Sequence, residues 1–164
     1  LSNGMLLVGT TVAPGTGGVT KPTYSSELFL MDANPHEVRW RGAPVPGAKT
    51  ITDLMVGTDG LVYGLADSVD LFVFNPNNRQ VVSGNRFSKD LGPSVYAQGT
   101  RAFVKGADGS IYVLLYNGIG KVDTKAHTVS RVVSSPVRIT VGGAAANGRI
   151  YFGSNNHLYS WKAQ

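Results

Sequence analysis

The chain contains no cysteine, which excludes disulfides and thiolate-held zinc and leaves the redox compartment open. Helical periodicity is missing as well: no segment repeats apolar residues at i, i+3, i+4 and i+7 over three turns, and the best candidate, residues 140–146, is a short Gly/Ala run read as strand and turn. No apolar run approaches the ~18 residues of a membrane-crossing helix, so no membrane span is expected. Charge is sparse, with 15 basic and 10 acidic residues among 164. The net charge of +5 is diffuse, its nearest cluster being Arg39 and Arg41 around Trp40 at strand spacing, so no nucleic-acid partner is expected. The first residues, Leu1-Ser2-Asn3-Gly4, do not read as a signal peptide, and the chain is read as trimmed from something longer.

What is present is turn chemistry between short apolar runs. Glycine numbers 21 and proline 8, spread along the chain, the punctuation of an all-β protein. One phrase occurs four times: Asn3-Gly4-Met5-Leu6-Leu7, Asp59-Gly60-Leu61-Val62-Tyr63, Asp108-Gly109-Ser110-Ile111-Tyr112 and Asn147-Gly148-Arg149-Ile150-Tyr151. Asn-Gly and Asp-Gly favour a type I′ hairpin turn, and the apolar residues behind each begin a strand with a buried face. A second phrase follows in register, a strand ending at Asp32, Asn75 and Asp123, with His36, Arg79 and His127 each four residues later. The Asp or Asn side chain accepts backbone amides just ahead and so starts a turn.

The repeated glycines are spaced 56, 49 and 39 residues apart, the period of a four-stranded β-propeller blade. With strands lettered a to d outward from the axis, the second unit reads a at 51–56, b at 61–65, c at 71–74 and d at 80–87. The third reads 102–105, 110–115, 119–122 and 129–133. The first unit lacks strand a and the last lacks strand d, about fourteen strands in all. The expected fold is all-β: about four antiparallel propeller units, approximately 1–48, 49–99, 100–135 and 136–164. Because the ends do not complement one another, a closed four-bladed ring is disfavoured. The chain is read as the C-terminal part of a propeller of about six to eight blades. The expected partner is the N-terminal remainder of that propeller or a second copy of the chain. On the alternation of the strands, Leu6, Leu28, Leu30, Val62, Leu71, Val73, Ile111, Val113, Ile150 and Leu158 are expected in the core.

Leu28 to Trp40 resembles the quinoprotein-like propeller repeat, in which a strand ending in Asp-Ala is followed by a turn and a Trp: Asp32, Ala33 and Trp40 match. The Thr-Gly usual in that turn is replaced by Pro35-His36, and Ser83 and Arg131 stand where other units would carry the Trp. The Asp-Gly-x-Ile-Tyr phrases are similar to those of streptogramin-lyase and sugar-lactonase type propellers. The resemblance is one of fold, so it implies turn-forming roles for Asp32, Asn75 and Asp123 and a blade-packing role for Trp40, and no particular activity.

The three histidines do not converge, His36 and His127 falling in c-to-d turns and His157 before a strand c, so no metal site is expected. Gly15-Thr16-Gly17-Gly18 lacks the Lys-Ser/Thr of a phosphate loop, there is no Gly-x-Ser-x-Gly elbow, and no cofactor is expected. Four aspartates are explained by repeat turns, leaving Glu27, Asp53, Asp67, Asp70 and Asp90, with Glu37 beside a turn, as free carboxylates. In a propeller the b-to-c and d-to-a connections share the top face, where ligands bind. The candidates there are Lys21, Tyr24, Asp67, Asp70, Lys89, Asp90, Tyr96, Tyr116, Asn117, Asn155, Asn156 and His157. Tyrosines and amides suit a glycan or a protein surface. The reading is a non-catalytic binding or scaffold segment in a secreted or periplasmic setting. The alternative is part of a propeller enzyme, a lyase, lactonase or glycan-active hydrolase, with catalytic residues partly outside this chain.

Overall fold

A computed structural model describes residues 1–12, 21–86, 91–94 and 101–163, the side chain of Arg86 excepted. Its strands form four antiparallel sheets, each in sequence order. The first holds β1 (Met5–Gly9), β2 (Leu28–Asp32) and β3 (Val38–Gly42), and the second holds β4 (Ile51–Val56), β5 (Val62–Ala66), β6 (Asp70–Asn75) and β7 (Gln80–Arg86). The third holds β8 (Phe103–Lys105), β9 (Ile111–Leu115), β10 (Gly118–Asp123) and β11 (Thr128–Ser134). The fourth holds β12 (Val141–Ala146), β13 (Arg149–Ser154) and β14 (His157–Lys162). The inner strands lie side by side, β1 by β4, β4 by β8 and β8 by β12. This is the blade arrangement of a propeller, and residues 141–146 are the inner strand of the fourth sheet.

The hairpins between inner strands depart from the expected type I′ turn. Gly60 and Gly109 have φ of 79° and 83°, whereas Asp59 and Asp108 keep ordinary negative φ. Gly57 N–H donates to Leu61 O at 2.8 Å and Asp59 Oδ1 accepts Leu61 N–H at 3.0 Å, a geometry repeated at Gly106, Asp108 and Ser110. The aspartate caps the amide two residues on and only the glycine turns left-handed, giving a three-residue loop with a glycine bulge. Asn147 and Gly148, with φ of 51° and 68°, make the expected two-residue form.

The c-to-d turns behave as their sequence implies at two positions. Asn75 Oδ1 accepts the Asn77 amide at 2.9 Å, and Asp123 Oδ1 accepts those of Lys125 and Ala126 at 2.8 and 2.9 Å. Those amides hold the Asp123 carboxyl below the usual carboxylate range. Asp32 instead pairs with Arg39 at 2.6 Å. His36, Arg79 and His127 are all left-handed, with φ of 66°, 62° and 55°.

Three buried clusters fill the three spaces between successive sheets. Trp40 stacks on Phe74 with ring centroids 5.1 Å apart, the blade-packing role expected of it. Tyr63 O–H donates to Asp59 at 2.6 Å and reaches Thr124 O at 3.4 Å, and its ring meets His127 edge-on at 6.4 Å. Burial, then the neighbouring Asp59, raises its pKa.

Of the expected core, eight residues are buried and two are not: Leu6 is 45% exposed and Leu158 76%. Both face outward from an end sheet. Leu6 matches Val62, Ile111 and Ile150, which are covered by the preceding sheet. Leu158 matches Leu71 and Ile119, which are covered by the following one. The alternation is correct; the covering sheet is what these two lack.

Candidate functional site

The b-to-c and d-to-a connections meet on one face, tied by backbone hydrogen bonds: Ser94 N–H to Ser68 O at 2.9 Å, Tyr116 N–H to Pro93 O at 2.9 Å and Ile139 N–H to Tyr116 O at 3.1 Å. The turn at Tyr116-Asn117 is wedged between two d-to-a connections, because Asn117 N–H also donates to Leu91 O and Asn117 O accepts Ser135 N–H. Its tyrosine carries the Arg138 guanidinium over its ring at 3.8 Å from the centroid. An open cleft of about 530 Å³ lies beside this pair, lined by Tyr116, Asn117, Ser134, Ser135, Val137 and Arg138 among others.

The remaining candidates do not line that cleft. Asp67 is spent on structure: its Oδ1 accepts the amides of Lys49 and Thr50 at 2.8 and 2.9 Å, closing the start of β4. Asp70 opens β6 opposite Arg86. Lys21 lies 6.0 Å from the exposed Tyr24 ring, and Lys49 Nζ donates to the carbonyls of Pro22 and Tyr24, so this loop is anchored through a residue the sequence reading missed. Asn155, Asn156 and His157 form the exposed β13–β14 turn, with Asn155 N–H donating to Thr140 Oγ1 at 2.7 Å. Lys89, Asp90 and Tyr96 fall outside the described residues. Arg138 was also missed. A signal was available, since each of the last three units places a basic residue, Lys49, Arg101 or Arg138, two or three residues before its inner strand.

Asp53, a free carboxylate by sequence, is a clip between sheets. Its Oδ2 accepts the amide of Phe103 at 2.8 Å and its Oδ1 that of Leu54 at 2.8 Å, joining β4 to β8. Desolvation raises its pKa, against the opposing pull of those amides. A carboxyl with a raised folded-state pKa contributes most below its ordinary pKa and loses that contribution as pH rises through the raised value. Asp53→Ala, which strands the buried Phe103 amide, is therefore expected to cost about 1–3 kcal/mol. The stability gap to wild type should be widest in acid and narrow as pH rises; urea melts across pH that show a widening gap would contradict this.

No group of three or more His, Asp or Glu side chains that could hold a metal occurs among the described residues. A second concavity, about 320 Å³, lies at the opposite rim between Lys105–Asp108 and Ala145–Arg149, against Tyr112 and Ala163. No described helix is long and apolar enough to cross a membrane.

No family model matches the chain, and no curated protein matches it in sequence. Solved structures do. The β-propeller domain of Myceliophteria thermophila Cps50 (Swd1) superposes with a TM-score of 0.69 at 14% identity, covering 99% of this chain and 49% of that one. The Neurospora crassa Pan2 WD40 domain gives 0.62 at 11%, covering 97% and 46%. The extracellular domain of a hybrid two-component system of B. thetaiotaomicron gives 0.69 at 14%, covering 98% and 21%. The chain thus spans less than half the length of each, and the resemblance at repeat level is to propellers generally rather than to the quinoprotein or streptogramin-lyase type. Sheet order, packing and these similarities agree that the chain is built of β-propeller blades.

Proposed function

We propose that this chain is a non-catalytic scaffold segment of a larger propeller, its four units forming one body, which binds protein through the top-face cleft at Tyr116, Asn117 and Arg138. The observation that carries the reading is the stacked, exposed Arg138. Stacking uses the face of the guanidinium and leaves its in-plane N–H donors for a planar acceptor, above all a carboxylate. The ligand of choice is a polypeptide segment bearing Asp, Glu or a free C-terminus, and the net charge of +5 favours its approach. A glycan fits less well, because Arg138 covers one face of the ring a sugar would stack on. A lyase, lactonase or hydrolase reading draws on carboxylates, and Asp53 and Asp67 are both engaged by backbone amides. The secreted or periplasmic setting belongs to the same reading, and one structural neighbour is an extracellular domain.

Fluorescence anisotropy with a labelled acidic peptide library, alongside a glycan array, tests this. Acidic peptides are expected to bind, and Arg138→Ala to weaken them about tenfold or more, as the loss of a hydrogen bond to a charged group implies. Peptide binding unchanged by Arg138→Ala, or glycan binding in place of peptide binding, would overturn the proposal.

A further inference from the structure

The outward faces of the first and fourth sheets are the unmatched halves of an interface the chain makes three times within itself. In each internal interface, a Leu or Ile of strand c, at Leu28, Leu71 or Ile119, is buried beneath the next sheet, which presents Val62, Ile111 or Ile150. Leu158 and Leu6 hold those same two positions and are exposed. Around Leu6 the first sheet presents Val8, Phe29, Met31 and Val38, brought onto one face by the pairings Leu6 with Met31, Val8 with Phe29 and Met31 with Val38. Around Leu158 the fourth presents Tyr151 and Val141.

The tyrosines sharpen the match. Tyr63, four residues after Asp59, reaches Thr124 O and His127, the first and fourth residues after Asp123 in the next sheet's turn. Tyr151 stands four residues after Asn147 with no following sheet to meet. Ala33 and His36 stand one and four residues after Asp32, His36 exposed and left-handed like His127. The same end of the fourth sheet carries Arg149 and Lys162, paired across β13 and β14, while that end of the first carries Asp32 and Glu37. Within one copy the two faces stay apart, as the exposure of Leu6 and Leu158 shows.

We infer that two copies of this chain associate head to tail, the fourth sheet of each covering the first sheet of the other, with Leu158 over Leu6 and Tyr151 against Ala33 and His36. Two copies of four sheets make eight blades, within the usual propeller range of about four to eight. The interface is heterologous, using different patches on the two copies, and it closes when made twice.

Sedimentation equilibrium of the wild-type chain and of Leu6→Glu and Leu158→Glu tests the proposal. Both substitutions fall on exposed side chains, and circular dichroism with thermal melting checks that each variant is folded. The wild type is expected at twice the 17.3 kDa mass of one chain. Each variant alone should be monomeric, and an equimolar mixture of the two should regain a two-chain species, because one intact Leu158-to-Leu6 face remains. A monomeric wild type, a folded variant that still self-associates alone, a mixture that stays monomeric, or assemblies larger than two copies would each overturn it.

Discussion

Leu71→Ala is expected to lower the unfolding free energy by about 2–5 kcal/mol, and Leu158→Ala, at the equivalent position of the fourth sheet, by less than about 0.5 kcal/mol in the dilute monomeric chain. The two residues begin the same phrase of the repeat and differ only in what covers them. Leu71 is 1% exposed, packed between its own sheet and Phe103, Ile111 and Val113 of the next, so truncation leaves a cavity whose walls belong to two rigid sheets. Leu158 is largely in water already and loses little on truncation. Urea denaturation of both variants measures the difference. Equal losses would mean that the fourth sheet is covered as the second is, contrary to the structure.

Gly64→Ala is expected to cost about 1–3 kcal/mol, or more if the sheet cannot spread. Gly64 sits in the middle of β5, whose five residues are all buried, and a β-carbon there would fall within the ring of Phe72 on the neighbouring strand. Phe72 is fully buried among Leu28, Val62 and Phe74, so the ring has nowhere to retreat. The control is Gly84→Ala on β7, where the nearest atom to an added β-carbon is Leu71 O at 3.8 Å. Alanine there should be neutral or stabilise by up to about 1 kcal/mol, since strand glycine loses more chain entropy on folding. A melting temperature for Gly64→Ala equal to that of Gly84→Ala would show that the β5–β6 packing is wrong.

The fold was legible because its information is local and repeated. A turn pair followed by an alternating strand needs only a dozen residues to read, and four occurrences fix the period; strand β4 was placed at its observed limits, 51–56. The misses have physical reasons. Turn type was misjudged at Asp59 and Asp108 because Asp-Gly serves both a two-residue turn and a glycine-bulge loop, and the choice depends on the carboxylate capping Leu61 and Ser110. Leu6 and Leu158 were misjudged because alternation reports which face a side chain takes, while burial depends on a neighbouring sheet. Top-face roles were hardest, since connections vary in length from unit to unit and the repeat gives no register there. Asp67 proved to be a cap, and the cleft depends on a contact between Tyr116 and Arg138, 22 positions apart in sequence. Neither residue type at its own position announces the other.

The three buried clusters each belong to one pair of successive sheets, and this has a consequence for how such a chain changes over evolutionary time. No apolar cluster is shared by three sheets, so stability is close to a sum of sheet terms and neighbour terms. Duplicating or deleting one whole unit changes that sum by one sheet and one junction and leaves every other junction composed of the same positions. Val62, Ile111 and Ile150 already do one job against different partners, which makes the junctions interchangeable. Lineages of this chain can therefore lengthen or shorten in steps of a unit without redesigning a core, while selection acts separately on the connections that carry recognition.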